Sequence, residues 1–432
     1  MYCVYVLNKH GEPLMPCSPR KARVLLREGK AVVVKRTPFV IRLLYGSSGY
    51  RQKVVLGVDA GSKTIGLSAS TANRELFAAE VKPRNDIVEK LSTRRQFRRA
   101  RRSRKTRYRK ARFDNRTKNK PKGWHAPSIE VKIQNHITPI KRVCSILPVS
   151  KVVVETAEFD LQLLKALENG DPPPQGLDYQ HGEMYGFYNT RQYVLWRDGY
   201  ACRCCGAKST EKKPVKFHIH RLESAKTGGN APDNLITLCE DCHNRFHSGV
   251  LDEENLKKRK RKSTRDAAFM GIMRSSLIDR LRSELATEVY ETKGAFTKGT
   301  RERLLMLPKT HINDALAIAH GLRGFSISGP KTIQRCDNIY LIKPVRHHNR
   351  QLHKATILKG GVRKNNQAPR YVFGFRLWDK VWYNNQECFI KSRRTSGSFV
   401  LKKLDGTNIS DGISYKKLHI LENNTNYLLE MM

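Results

Sequence analysis

A multidomain α/β chain is what this sequence predicts, and three observations carry the prediction. Strand-like runs such as Lys53–Asp59 and Lys151–Val154 are separated by stretches of helical spacing, among them Ile129, Ile133, Ile137, Ile140 and Val143. Two Cys-x-x-Cys pairs, Cys202/Cys205 and Cys239/Cys242, sit inside a His-rich segment and mark a separate small module. The length of 432 residues is enough for roughly two to four domains.

Composition restricts function before any motif does. The chain has 82 Lys and Arg against 39 Asp and Glu, a formal charge of +43 and a pI near 10.1. That excess excludes most metabolic enzymes and makes a polyanion the default partner, because each neutralised phosphate releases condensed counterions. Hydrophobic residues make up 39% of the chain and aromatics 8%, enough to bury cores rather than stay disordered. No apolar run approaches the roughly 18 residues that cross a bilayer, and Met1–Leu7 is too short for a secretion signal. A soluble, cytoplasmic protein with no membrane partner is expected. Paired cysteines in such a reducing compartment read as metal ligands, and Cys3, Cys17, Cys144, Cys204, Cys336 and Cys388 as ordinary thiols.

In chain order, residues 1–52 read as short strands around a basic helix near Arg20–Glu28, from YCVYVL through a turn at Gly11-Glu12-Pro13 to AVVVKRTPFVIRL. Residues 53–84 hold the continuous apolar strand Lys53–Asp59 and two more, IGLSAS and LFAAEV. Across 85–122 a long helix is expected: there is no Gly or Pro between Asn85 and Lys120, and Arg94–Arg112 carries twelve bases in nineteen residues. Asp86 and Glu89 at its start suit the helix macrodipole. Residues 123–185 contain the helix around Ile129–Val143 and a β-branched strand closed by Glu155. The Cys-rich module occupies 186–262, and 263–328 holds helices over Ala267–Leu285 and Thr310–Leu322. From 329 to 432 the sequence turns basic, aromatic and strand-like, with Asn-Asn and Asp-Gly turns, and predicts a small β-rich domain.

Acidic residues at strand ends suggest a single site. Asp59 closes one apolar strand, Glu155 closes another, and His311 and Asp314 stand at i and i+3 on one helix face. Taken alone, each carboxylate is a cap or a surface ion pair. Together, a Gly-Val-Asp-x-Gly-Ser strand, a strand ending in Glu and a His-x-x-Asp-Ala helix follow the order of a ribonuclease-H-like fold. Hard oxygen ligands of this kind suit magnesium, which orients a water and stabilises both oxygens of an in-line phosphodiester displacement.

Thirty-three residues separate Cys205 from Cys239, a spacing that fits a four-thiolate zinc held by Cys202, Cys205, Cys239 and Cys242. Between and beyond the pairs lie His218, His220, Asn234, His243 and His247. In a ββα-metal nuclease a hairpin and a helix bring such histidines onto magnesium, and a neighbouring strand His activates water. His220 and His243 are the expected ligands, His247 a possible third, and Asn234 the residue that pins the loop between the hairpin strands. The residue after His220 is Arg221, whose guanidinium cannot accept a proton. His218 lies on the same strand face as His220 and is a possible substitute base, read here as a solvated strand residue.

The whole pattern resembles IscB, a family of transposon-encoded, RNA-guided DNA nucleases with RuvC-like and HNH sites. The carriers are the tetrapeptide Pro13-Leu14-Met15-Pro16, VLGVDAGSKTIGLSAS, VVVETAEFD, RDGYACRCCG, NLITLCEDCHNRFH and KTHINDALAIAH, and they span Tyr2 to about Leu322. The resemblance implies an N-terminal PLMP domain over 1–52, and a RuvC-like core in three segments (53–84, 123–185, 263–328). The core is interrupted by an Arg-rich bridge helix and an HNH domain. It implies that Asp59, Glu155, His311 and Asp314 are the RuvC-like catalytic set, cutting the strand not paired to the guide. The HNH site would cut the paired strand through a His-His pair, where this sequence has His220-Arg221. The bridge helix, with Arg94, Arg95, Arg98, Arg99, Arg101, Arg102, Arg104, Lys105, Arg107 and Arg109, would grip guide RNA. The tail would hold the scaffold of the omega RNA and read a short motif beside the double-stranded DNA target, in a monomeric ribonucleoprotein. Two other classes stay open: a guide-independent, structure-selective RuvC-type nuclease, and a nucleic-acid-binding protein with decayed catalysis.

Overall fold

The structure, a computed structural model, describes residues 3–47, 49–103, 120–121, 123–156, 162–163, 166–167, 172–179, 181, 183–222, 230–251, 265–346 and 369–432. Arg104, Lys105, Arg107 and Arg109 of the basic run lie outside the described residues, as do Gly228, Gly229 and the charge run Lys257–Lys262; the side chains of Arg101 and Arg102 are likewise not described. The chain forms two compact units, one of Met1–Glu158 with Phe269–Met432 and one of Phe159–Ala268. No helix among the described residues is long and apolar enough to cross a membrane.

The first unit begins with a four-stranded sheet of β1 (Val4–Leu7), β2 (Pro13–Cys17), β3 (Ala31–Lys35) and β4 (Val40–Leu43), in the order β2-β1-β4-β3. Helix α1 (Pro19–Arg27) covers it through Ala22 and Leu25. Its start is written locally: Ser18 caps the Lys21 amide and Pro19 opens the first turn.

A seven-stranded sheet forms the centre of this unit. Strands β5 (Val54–Ala60), β6 (Ile65–Ser70) and β7 (Glu75–Val81) make an antiparallel meander, followed by the basic helix α2 (Ile87–Ser103) and by α3 (Pro127–Cys144). Strand β8 (Val149–Glu155) then pairs parallel to β5. The near-continuous apolar sequences of β5 and β8 follow from burial on both faces, with Val54, Leu56, Val58, Val152 and Val154 fully enclosed. Ile133, Ile137 and Ile140 of α3 pack on one side of this core.

The second unit contains helix α4 (Thr190–Arg197), a hairpin of β9 (Phe217–Arg221) and β10 (Leu235–Cys239), and helix α5 (Glu240–His247). Back in the first unit, α6 (Arg265–Glu284) adds Met273, Leu277 and Leu281 to the core, and β11 (Glu288–Thr292) pairs parallel to β8. Helices α7 (Gly294–Gly299) and α8 (His311–His320) follow, and then β12 (Ile339–Pro344). Strands β13 (Lys380–Tyr383), β14 (Gln386–Arg393), β15 (Ser398–Lys402), β16 (Asn408–Ser414) and β17 (His419–Glu422) form a five-stranded sheet over Val381, Ile390, Phe399 and Leu401. The last strand is β18 (Tyr427–Met431).

The expected boundary at 329 does not hold for the whole tail. β12 pairs parallel to β7 and β18 antiparallel to β12, so both ends of the C-terminal segment complete the central sheet, in the order β11-β8-β5-β6-β7-β12-β18. The reason is the exposed edge that β7 would otherwise present, which β12 and β18 cover with apolar strands.

Candidate metal centres

The first centre lies at the C-terminal ends of β5 and β8. Their parallel register sets Asp59 beside Glu155. Helix α8 crosses β5 and β6 closely enough that both strands need glycine: a Cβ on Gly57 would collide with the Ala315 carbonyl and one on Gly66 with the His311 carbonyl. Thr310 caps α8 by accepting from the Asn313 amide, and the first turn then presents His311 and Asp314 toward the strand ends. His311 Nδ1 is 2.6 Å from Asp59 Oδ2.

Asp314 is held by a residue that the motifs do not include. Arg301, its side chain 6% exposed, donates from Nη1 to Asp314 Oδ1 and from Nη2 to Glu302 Oε1, each at 2.6 Å. It stands on a single π-helical turn, Thr300–Leu304, a geometry common at functional sites. Burial raises the Glu155 carboxyl above its usual value; the Thr297 hydroxyl opposes this, and the charges of Asp59 and Asp314 add to it. Burial also raises Asp314, against Arg301 and with Asp59. His311 is raised mainly by its hydrogen bond to Asp59.

These four residues therefore share one electrostatic neighbourhood. Yet the carboxylates of Asp59, Glu155 and Asp314 are not among the described groups of three or more donors lying within 4.8 Å of one another. Three like charges separate, and here His311 and Arg301 each draw one away. The donor set is all oxygen with one imidazole, which fits a hard divalent cation.

Two supports behind this centre were also not legible. Glu75 is fully buried on β7 and accepts from Ser68 Oγ at 2.6 Å and Arg335 Nε at 2.7 Å. Arg335 Nη1 in turn donates to Asn313 Oδ1 at 2.8 Å, so a half-buried ion pair steadies the turn between His311 and Asp314. His136 of α3 faces two carbonyls, Lys132 O at 2.8 Å and Gly61 O at 3.1 Å, just past Asp59. Burial pushes it down to about 4, so the neutral ring donates to only one of them. The signal for both was a polar side chain inside an apolar pattern.

The second unit holds two donor clusters. Cys202 and Cys205 occupy a tight turn closed by Gly206, Cys239 ends β10, and Cys242 lies in the first turn of α5. Their four sulfurs lie within 4.8 Å of one another. Burial raises Cys239 and Cys242, whereas the amides of Cys205, Cys239 and Cys204 overcome burial and bring Cys202 down to about 7. Four closed thiols fit a structural zinc. Cys204 is packed into the same small core rather than standing apart.

The other cluster is formed by histidines. Pairing of His220 with Ile236 and His218 with Leu238 puts both imidazoles on the hairpin face that α5 covers. Ring nitrogens of His220, His243 and His247 lie within 4.8 Å of one another, and His243 Nε2 is 3.2 Å from His247 Nε2. His243 is held low by burial and then by its neighbours His247 and His218. Three imidazoles whose ring nitrogens converge in this way fit a divalent cation. His218, expected to be solvated, is instead stacked on His243 (centroids 4.8 Å, planes 17° apart), with Nε2 3.6 Å from Glu240 Oε1. Arg221 faces away: Nε and Nη2 both donate to Asn230 Oδ1, at 3.1 and 2.8 Å. Asn234 is 1% exposed and its carbonyl accepts from the Leu222 amide at 2.9 Å, closing the loop end of the hairpin. Helix α4 frames the hairpin through Arg197, which donates to Leu235 O and Pro232 O, and through Asp198, which accepts from the Thr237 amide.

The chain matches the RRXRR protein family over residues 4–182 and the HNH endonuclease family over residues 202–249. Both matches agree with the resemblance to IscB. The HNH match covers both donor clusters of the second unit. Similar solved structures include Streptococcus thermophilus Cas9 in complex with the AGAA PAM (15% identity, TM-score 0.29, covering 45% of this chain and 26% of that one). The complexes with AGGA PAM (14%, 0.28, 45% and 26%) and GGAA PAM (15%, 0.26, 44% and 25%) are similar to the same degree. The chain thus spans about a quarter of the length of these proteins. No curated protein matches it.

Proposed function

We propose that this chain is an RNA-guided DNA endonuclease with two metal-dependent phosphodiester-cleaving centres. The observation that carries the reading is the register of β5 against β8, which sets Asp59 beside Glu155 under the first turn of α8, in a chain that also matches an HNH endonuclease. The strand order β11-β8-β5-β6-β7, with three antiparallel and two parallel strands, supports a ribonuclease-H-like, RuvC-type core. Asp59, Glu155 and Asp314 would hold magnesium there, and His220, His243 and His247 would hold it in the HNH centre. When bound, the metal would activate water and neutralise charge on the scissile phosphate.

The residues of the chain do the positioning. Asp59 fixes the His311 ring through Nδ1, which would leave Nε2 as the ring nitrogen available to move a proton. Arg301 holds Asp314 Oδ1 at 2.6 Å and opposes the rise that burial imposes on its carboxyl. In the HNH centre Arg221 accepts no proton, so that site is slow or silent and the protein acts as a nickase of the non-paired strand. Guide pairing supplies sequence selectivity, α2 and the C-terminal sheet meet RNA and the motif flanking the target, and Cys202, Cys205, Cys239 and Cys242 would hold a structural zinc in the HNH module.

The test is a strand-labelled duplex incubated with protein, its co-purified RNA and magnesium. Guide-dependent cutting of the non-paired strand, abolished in Asp59→Ala while binding persists, is the expected result. Cutting of branched DNA without RNA would point to a resolvase, and undiminished cutting by the variant would remove Asp59 from the mechanism.

A further inference from the structure

The C-terminal sheet displays two aromatic side chains, Tyr371 and Phe373, that its own core does not use, next to Tyr415 at the edge of that core. Val372 and Phe375 are buried and exchange two backbone hydrogen bonds of 3.0 Å, closing a two-residue turn in which Phe373 and Gly374 have φ of +49° and +82°. Positive φ at both central positions is the type I′ geometry, which favours Asn, Asp or Gly in the first. A bulky ring there is an outlier, and such strain collects where a side chain must be displayed.

Burial does not offset that strain, since Phe373 is 50% and Tyr371 52% exposed. Phe373 lies flat on Tyr415, with centroids 4.0 Å apart and planes within 7°. Gly397 leaves room for the pair: a Cβ there would stand 2.7 Å from the Tyr415 ring and 3.1 Å from Phe373. The guanidinium carbons of Arg370 and Arg376 lie 5.7 and 5.8 Å from the centre of Tyr371, and Lys416 is exposed next to Tyr415 in sequence. Open aromatic faces between cations suit the flat face of an unpaired base whose phosphates meet the positive charges.

We propose that Tyr371, Phe373 and Tyr415, flanked by Arg370, Arg376 and Lys416, form a stacking platform for an unpaired nucleobase. The proposal rests on the nucleic-acid-binding reading above and assigns it side chains in the C-terminal sheet. Stacking alone does not separate RNA from DNA, so both are probes.

The experiment uses the full chain with 5-iodouracil-substituted single-stranded RNA and DNA of one sequence, mapping photo-crosslinks by mass spectrometry and measuring affinity. The variants are Phe373→Asn and Tyr371→Ala. Asn is preferred in a type I′ turn, so Phe373→Asn should unfold at the same temperature as the parent or higher, yet bind about ten-fold more weakly and lose the crosslink. The oligonucleotide that crosslinks identifies the source of the base. Parent-like affinity in both variants, or crosslinks that map only elsewhere, overturns the platform and leaves the nuclease reading intact. A melting temperature that drops together with affinity in Phe373→Asn assigns the ring to packing and also overturns it. A parent that binds neither oligonucleotide overturns both readings.

Discussion

At the scale of single residues, two side chains decide what the centres can do. Arg221 is tied to Asn230 on the hairpin face opposite His220. Arg221→His removes that tether and supplies a proton acceptor next in sequence to His220, the proposed metal ligand, so paired-strand cutting is expected to rise, by on the order of 100-fold if general-base catalysis is what is missing. A parent that already cuts that strand as fast as the variant would show that Arg221 is no defect and would turn attention to His218, already stacked on His243. His311 is the second case. Its proton is bound more tightly in the folded chain than at the ordinary value of 6.5, and the raised carboxyls of Glu155 and Asp314 behave in the same sense. The unfolded chain thus binds fewer protons, and the stability these groups contribute is lost as pH rises: for the carboxyls upward from their ordinary range, for His311 from 6.5 through its raised value. In chelator, the melting temperature is therefore expected to fall between pH 5 and 8, by a small amount because His311 is half exposed, and to fall less in His311→Ala. Calorimetry with and without magnesium checks this, since the metal should remove the loss at neutral pH. Sequence alone gave access to Asp59, Glu155, His311 and Asp314 because each stands at the end of a clear apolar pattern. Arg301, Arg335 and His136 were not legible, because partners that are 13, 22 and 75 residues distant follow only from the packing of α8 and α3.

At the scale of elements, the parallel pair β5 and β8 and the helix laid across β5 and β6 set the first centre. Their apolar runs and the helical spacing around Ile129–Val143 were readable, as was the Asn384-Asn385 turn, where both residues take positive φ between β13 and β14. The addition of β12 and β18 to the same sheet was not, because strand pairing between residues 78 and 339, or 340 and 431, leaves no local trace. What holds α8 in place is the absence of side chains at Gly57 and Gly66, where the obstructing atoms are backbone and do not move aside. Gly57→Val is expected to cost about 3 kcal/mol or more, at or above the upper end of overpacking, and to displace the turn that carries His311 and Asp314. A urea titration should show a lowered midpoint, and the proposed nicking should disappear with it. A parent-like midpoint would mean that α8 does not sit against β5 as described.

For the molecule as a whole, the charge of +43 governs behaviour outside the cores. Lys and Arg are spread over α2, the four-stranded sheet and the C-terminal sheet, so no compact arrangement of the chain separates them by many screening lengths. Such a chain repels itself until a polyanion or salt supplies counter-charge. Two consequences have opposite signs in salt, and that opposition makes them testable together. Freed of nucleic acid, the protein is expected to melt at higher temperature as salt is raised from about 50 to about 500 mM, because screening weakens self-repulsion. Its affinity for RNA is expected to fall over the same range, with log K declining linearly in log salt at a slope of about −0.7 for each single-strand phosphate neutralised. Fluorescence-monitored melting and filter binding on one preparation measure both. A salt-independent melting temperature would mean that acidic groups already compensate the basic surface, and a flat binding slope would mean that contacts other than phosphate neutralisation hold the RNA.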